Sequence, residues 1–258
     1  MMLKTPRLLQ AVPLLCLLIL ATGASAQSSA PTPGQPATLV DAWVNWQMQR
    51  QAEQRPPFNW AYSFALRQST QHELSPRRAR LIAEIQGLAP VLEVAGKPLL
   101  SQALNRWAER LQAMPAMPAR SPEALGLLSL ASELRRNPPM SEIAFLGTCQ
   151  APSWVEVWSQ AGVERLAWRP NMTVESLIAR LPASATRQRD RMSVITPRGN
   201  VRTRGIADWN RQPEALAPGA RVAIRLPESS REARAINREL AHFLATRLPG
   251  DDCSLWPK

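Results

Sequence analysis

Few residues in this 258-residue chain have the type and spacing to do chemistry. Its two histidines, His72 and His242, stand 170 positions apart. Neither has a third ligand at a metal-binding spacing, so the sequence indicates no metal centre and no histidine general base. There is no serine elbow, CxxC pair, phosphate-binding glycine loop or HExxH helix. The acidic residues are not paired at any spacing that marks a glycosidase, although folding can still bring two carboxylates together. The expectation is no catalytic residue, no metal and no cofactor. Two features remain. The chain has nine tryptophans against one tyrosine. A flat indole face can stack on a sugar ring, or it can simply fill a core. Beyond Cys16, the cysteines are Cys149 and Cys253, a lone pair for which a single disulfide is possible.

The N-terminus decides which of these options matter. Lys4 and Arg7 precede an apolar run from Val12 to Ala21, and Ala24-Ser25-Ala26 fits a cleavage site. Residues 1–26 therefore read as a secretory signal cut after Ala26, leaving 232 residues. A lipoprotein cut at Cys16 is the competing reading. Pro13-Leu14-Leu15 lacks the small residues that cut requires, and it would halve the apolar run. No later stretch reaches the roughly 20 apolar residues of a membrane span, so the expected location is the periplasm, without a transmembrane anchor. In that oxidising compartment a Cys149–Cys253 disulfide is expected. Without Lys4 and Arg7 the 31 basic residues become 29, against 20 acidic, a net charge of +9. Such a balance suggests nucleic acid first, but secretion argues against it. An anionic polysaccharide or lipid A surface suits the compartment better, and solubility alone is the plain alternative.

Residues 27–37 are rich in Ser, Pro and Gly and read as a flexible lead-in. Apolar residues at Leu39, Ala42, Trp43 and Trp46 predict a helix over 38–51. The aromatic segment 58–66 predicts a strand. Ser75-Pro76 predicts the N-terminus of a helix running to about Leu88, and a second helix over 99–114 pairs with it as a hairpin. A short helix from Ser121 to Leu134 follows. Asn137-Pro138-Pro139 breaks the pattern and marks the boundary of a helix-rich domain at 38–139. Beyond it come strands at 142–146, 154–158 and 165–168, then a helix capped by Thr173. Ser176 at the third helical position predicts no full capping box. Strands at 191–197, 201–207 and 221–226 complete residues 140–228. From Trp154 the order strand, strand, helix, strand, strand, strand is that of a β-grasp, ubiquitin-like unit. The fold class is α+β, closing on an amphipathic helix over 230–248 within a terminal segment, 229–258. Its apolar face, Ile236, Leu240, Phe243 and Leu244, is expected to pack on protein.

The segment Ile195-Thr196-Pro197, Gly199, Trp209-Asn210 and Pro218-Gly219 ahead of a last strand and terminal helix resembles the capsule biosynthesis GfcC family, including its YjbG relatives. The resemblance runs from about Asn137 to Pro249 through Val155, Val157, Gly162, Val174 and Leu177, and is weaker upstream. It implies two β-grasp domains like those of polysaccharide export channels, the first with a helical insertion. Residues 27–38 are too short and Pro-rich for that domain's opening β-hairpin, so a truncated first domain is expected. The family's arginine best matches Arg120, although Ala119 stands where the family has glycine. The resemblance makes Arg120, Trp209 and Asn210 the candidate binding residues. Arg120 would hold a sugar carboxylate or phosphate, or else a buried salt bridge; Trp209-Asn210 is otherwise a structural corner. The implied role is a non-catalytic periplasmic accessory of capsule or exopolysaccharide assembly or export. Its partner would be the polysaccharide or outer-membrane export components, not nucleic acid. The alternative is a polysaccharide-modifying enzyme with an acidic cleft near Arg120.

Overall fold

The computed structural model describes residues 36–123 and 125–256. The signal, the cut after Ala26 and most of the 27–37 lead-in lie outside the described residues. Helix α1 (Leu39–Ala52) begins at Thr38, whose hydroxyl accepts the Asp41 N–H while the Asp41 carboxylate accepts the Thr38 N–H. This reciprocal cap satisfies two N–H groups that the helix cannot. Leu39, Ala42, Trp43 and Trp46 are buried, as their spacing predicts. The expected strand over 58–66 divides. A 3-10 turn at Trp60–Tyr62 precedes β1 (Ser63–Arg67), because the Asn59 side chain accepts the Ala61 N–H and holds the turn.

Helix α2 (Gln68–Val94) starts eight residues before the expected Pro76, which lies inside it with Pro90. Both prolines are exposed. Water can then serve the carbonyls that each ring leaves without an N–H donor. Helix α3 (Pro98–Ala113) packs back on α2, with Leu100, Leu104, Trp107 and Leu111 meeting Leu81, Ile85 and Leu88. The short α4 (Leu127–Ser132) falls within the expected 121–134 segment. Next comes β2 (Ile143–Cys149), antiparallel to β1. The opposite edge of β2 takes the last strand of the chain, β8 (Cys253–Leu255). Cys149 faces Cys253 there and the two are disulfide-bonded. The disulfide thus ties the tail to the β1–β2 sheet, whose strands straddle the 139/140 boundary.

The second sheet holds β3 (Trp154–Ser159), β4 (Gly162–Ala167), β5 (Arg191–Ile195), β6 (Val201–Gly205) and β7 (Arg221–Ile224), in the order β4-β3-β7-β5-β6. Strands β3 and β7 are parallel and the other pairs antiparallel. Between β4 and β5 lie α5 (Val174–Ile178) and α6 (Ala183–Thr186). A capping box does open α5: the Ser176 side chain replaces the usual Glu or Gln, accepting the Thr173 N–H at 2.9 Å. Both sheet faces are covered. Val155, Val157, Met192, Val194, Val222 and Ile224 face α5. The alternate residues Trp158, Ile195 and Ala223 face α2, α3 and α7 (Arg231–Ala245). Ile236, Leu240, Phe243 and Leu244 of α7 are buried in that layer. Each such side chain contributes about 1.5–3 kcal/mol. Arg231, Arg234, Arg238 and His242 lie on its exposed side. Among the described residues no helix is long and apolar enough to cross a membrane.

Candidate functional site

Arg120 lies in the extended segment after α3, where the backbone stitches three elements together. Its N–H donates to Thr246 O at 2.8 Å, and that of Ser121 donates to Ala65 O at 2.9 Å. The side chain is 2% exposed. Its Nε donates to Ala245 O at 2.9 Å, and its two terminal nitrogens donate to the carbonyls of Pro197 and Thr196. The guanidinium therefore clamps the β5–β6 turn to the C-terminal end of α7. Neither a bound anion nor the alternative buried salt bridge is needed to place it, because carbonyl oxygens take its protons. Gly199, at φ +90°, explains the turn's glycine. A Cβ there would meet Ala245 O at 3.3 Å and the Arg120 guanidinium carbon at 3.6 Å. Two more buried arginines attend the same helix end. Arg221 donates to Leu248 O at 3.0 Å and Arg247 to Pro115 O at 2.8 Å. Cations suit the negative end of a helix dipole. Burial first, then Arg221 and Arg247, lowers the Arg120 pKa to about 9. Burial, Arg221 and Arg78 lower that of Arg247 to about 10. Both remain protonated at neutral pH. The small cleft beside Arg120 contains Glu123, which pairs with Arg67 at 3.4 Å.

A second charged cluster had no signature in the sequence. Glu156 on β3 is 0% exposed and lies 3.2 Å from Arg165, 3.4 Å from Arg221 and 3.5 Å from Arg110. The Trp158 indole N–H also donates to it at 3.0 Å. Burial raises its pKa, but Arg221, the Trp158 hydrogen bond, Arg165 and Arg110 outweigh that and leave it below its ordinary value. Arg165 lies over the Trp154 ring and forks onto Asp251, at 2.7 and 3.2 Å. The Val-Glu-Val alternation contains no hint that both faces of this strand are covered.

The remaining candidates lie at the other end of the β5–β6 hairpin. Asn210 uses both ends of its amide: Oδ1 accepts the Ala207 N–H and Nδ2 donates to Asp190 O, each at 3.0 Å. It locks a corner that passes so close to Gly205 that a Cβ there would lie 2.0 Å from Asn210 O. Trp209, on that corner, is 76% exposed. It lines a cleft with Arg191, Thr203, Gly205 and Gln212. The other eight tryptophans are buried or half-buried. Trp43, Trp107, Trp158 and Trp168 among them donate their indole N–H to protein oxygens. The fold thus places Arg120 and Trp209-Asn210 at opposite ends of a strand roughly 13 Å long, and does not join them in one site. Both histidines are exposed, and no group of three or more His, Cys, Asp or Glu among the described residues could hold a metal ion.

Fold and site together define a mixed α+β protein with two sheets, a disulfide, an arginine-clamped helix end and one bare tryptophan. Residues 162–249 match the family model described as capsule biosynthesis GfcC C-terminal, and that segment of the chain is similar to this family. Trp209 and Asn210 lie inside the matched segment and Arg120 outside it. No curated protein matches the chain. The family suggests a role in capsule biosynthesis or export and is consistent with an extracytoplasmic location.

Proposed function

We propose that this protein is a periplasmic, non-catalytic accessory of capsule or exopolysaccharide assembly or export, and that it binds the polysaccharide at the Trp209 corner. The observation that carries the reading is Trp209 itself, a large indole 76% exposed on a corner rigidly held by Asn210. An exposed indole flanked by Arg191, Thr203 and Gln212 offers an apolar face and polar neighbours, the pairing a sugar ring requires. We assign the second sheet to a β-grasp fold. Its order β4-β3-β7-β5-β6, with a parallel central pair and α5 crossing one face, supports this. The three-stranded first sheet, completed by β8, is then a reduced version of the same unit with the α2–α3 hairpin inserted.

The test is genetic. Deleting the gene should change the amount, length or location of surface polysaccharide, and the wild-type gene should restore it where one encoding Trp209→Ala does not. Unchanged polymer in the deletion strain refutes the pathway assignment. Full complementation by Trp209→Ala refutes the corner as its binding site.

A further inference from the structure

A second cleft opens beside the Trp209 corner, on the same face of the sheet. It is lined by Ser193 of β5, Val201 and Thr203 of β6, Arg225, and Arg234, Arg238 and His242 of α7. The pairing register places residues of both clefts on one face. Arg191 pairs with Gly205, Ser193 with Thr203 and Ile195 with Val201, so these residues project on one face. Thr203 lines both clefts. Trp209 lies at the Gly205 end. Along α7, Arg234, Arg238 and His242 recur every four residues and so stack as one exposed stripe beside the strands.

The charge of this surface is one-sided. Arg191, Arg225, Arg234 and Arg238 line it against a single carboxylate, Glu228, which Arg225 engages at 2.9 Å. Arg234 donates to the Glu228 carbonyl at 2.8 Å, so a backbone group positions its guanidinium. Arg238 touches Glu239 at 3.2 Å, a carboxylate shared with Arg77. Arg191 lies 3.7 Å from Asp190. Arg202 and Arg204 alternate to the opposite face and pair with Glu214.

We propose that the Trp209 corner and the Arg234–Arg238–His242 stripe form one groove that binds an acidic polysaccharide. A sugar ring stacks on Trp209 and carboxylates further along the chain meet the α7 arginines. The proposal rests on the polysaccharide-binding reading and adds the substrate class. Guanidinium groups suit carboxylates because their planar donors match two oxygens at once. Stacking alone is indifferent to charge, so the stripe confers the selectivity.

The experiment is calorimetric titration of the purified secreted protein with oligogalacturonate and with its neutral methyl ester. Binding of the acid form, at least tenfold tighter than the ester and weakened by added salt, is expected. The double variant Arg234→Glu/Arg238→Glu and the single variant Trp209→Ala should each weaken it tenfold or more. All three sites are exposed, so melting curves should confirm that folding is intact. The variant Arg135→Glu/Arg169→Glu changes net charge equally, away from the groove, and should stay within twofold of wild type. Equal binding of acid and ester, or an equal loss in the control, overturns the acidic assignment. If Trp209→Ala still weakens the ester, the polysaccharide reading stands. Absence of binding to either oligomer overturns the groove, while the deletion phenotype decides the polysaccharide reading separately. Stripe-dependent binding to anionic lipid vesicles, with no oligomer binding, also overturns it in favour of a membrane surface.

Discussion

Arg120 and Trp209 occupy opposite ends of one β-hairpin, and their surroundings could hardly differ more. At the turn end, Arg120 is buried and all three guanidinium nitrogens donate to carbonyl oxygens. At the open end, Trp209 is 76% exposed, and its corner is fixed by Asn210 and Gly205. A charged side chain closed inside a fold holds elements in place, because each of its nitrogens already donates to a carbonyl of a different segment or turn residue. An apolar side chain left outside costs hydrophobic free energy that no internal contact returns. On the proposed reading, stability belongs to one end of the hairpin and recognition to the other.

The sharpest break of that division comes from the layer behind the turn. Leu240→Asp puts a carboxylate at a 1% exposed position in the buried layer of α7, and should destabilise the protein by about 5 kcal/mol. Unchanged thermal stability of the purified monomer would mean that the α7 face serves a partner or a membrane. Glu156→Gln comes next, at about 4 kcal/mol, since it strands Arg221 in the interior without its counter-charge. The same residue sets an acid limit. The folded-state pKa values of Glu156 and Asp251 lie below their ordinary values. Their contribution is present above about pH 4.5 and is lost as pH falls through the folded values. Melting temperature should fall below that pH in the wild type, and Glu156→Gln should have a shallower acid limb.

Arg120→Ala should cost about 3 kcal/mol by orphaning the carbonyls of Ala245 and Pro197. Polysaccharide affinity per folded molecule should be unchanged in that variant. A stable Arg120→Ala protein with lost affinity would return Arg120 to the binding residues. The smallest stability effect belongs to Trp209→Ala, within about 0.5 kcal/mol in chemical denaturation. A larger loss would show that the indole packs, and the division of the hairpin would collapse.

The legible parts of this protein were those fixed by local rules. Leu39, Ala42, Trp43 and Trp46 declare α1 because burial repeats at helical spacing. The stripe Ile236, Leu240, Phe243 and Leu244 does the same for α7. The strand–strand–helix–strand–strand–strand order was readable from Trp154 onward for the same reason. Signals that depend on whether a position meets solvent were misread. Ser75-Pro76 has the form of a helix start, yet α2 runs through it because that turn faces water. The expected boundary at 139/140 lies between β1 and β2, which pair across it.

The family resemblance supplied Trp209, Asn210 and Arg120 as candidate residues; the sequence by itself determined the helix faces, the Gly199 turn and the lone cysteine pairing. Each depends on neighbours a few positions away or on simple counting. Only the tertiary structure decided that Glu156 is buried among three arginines, that Arg120 is spent on carbonyls, and that Trp209 is the bare indole among nine. Those outcomes depend on covering both faces of the second sheet. The layer that covers β3 comes from α2, α3 and α7, segments far from it in the chain. No local pattern encodes which distant segment will cover a surface and which will leave it open to solvent.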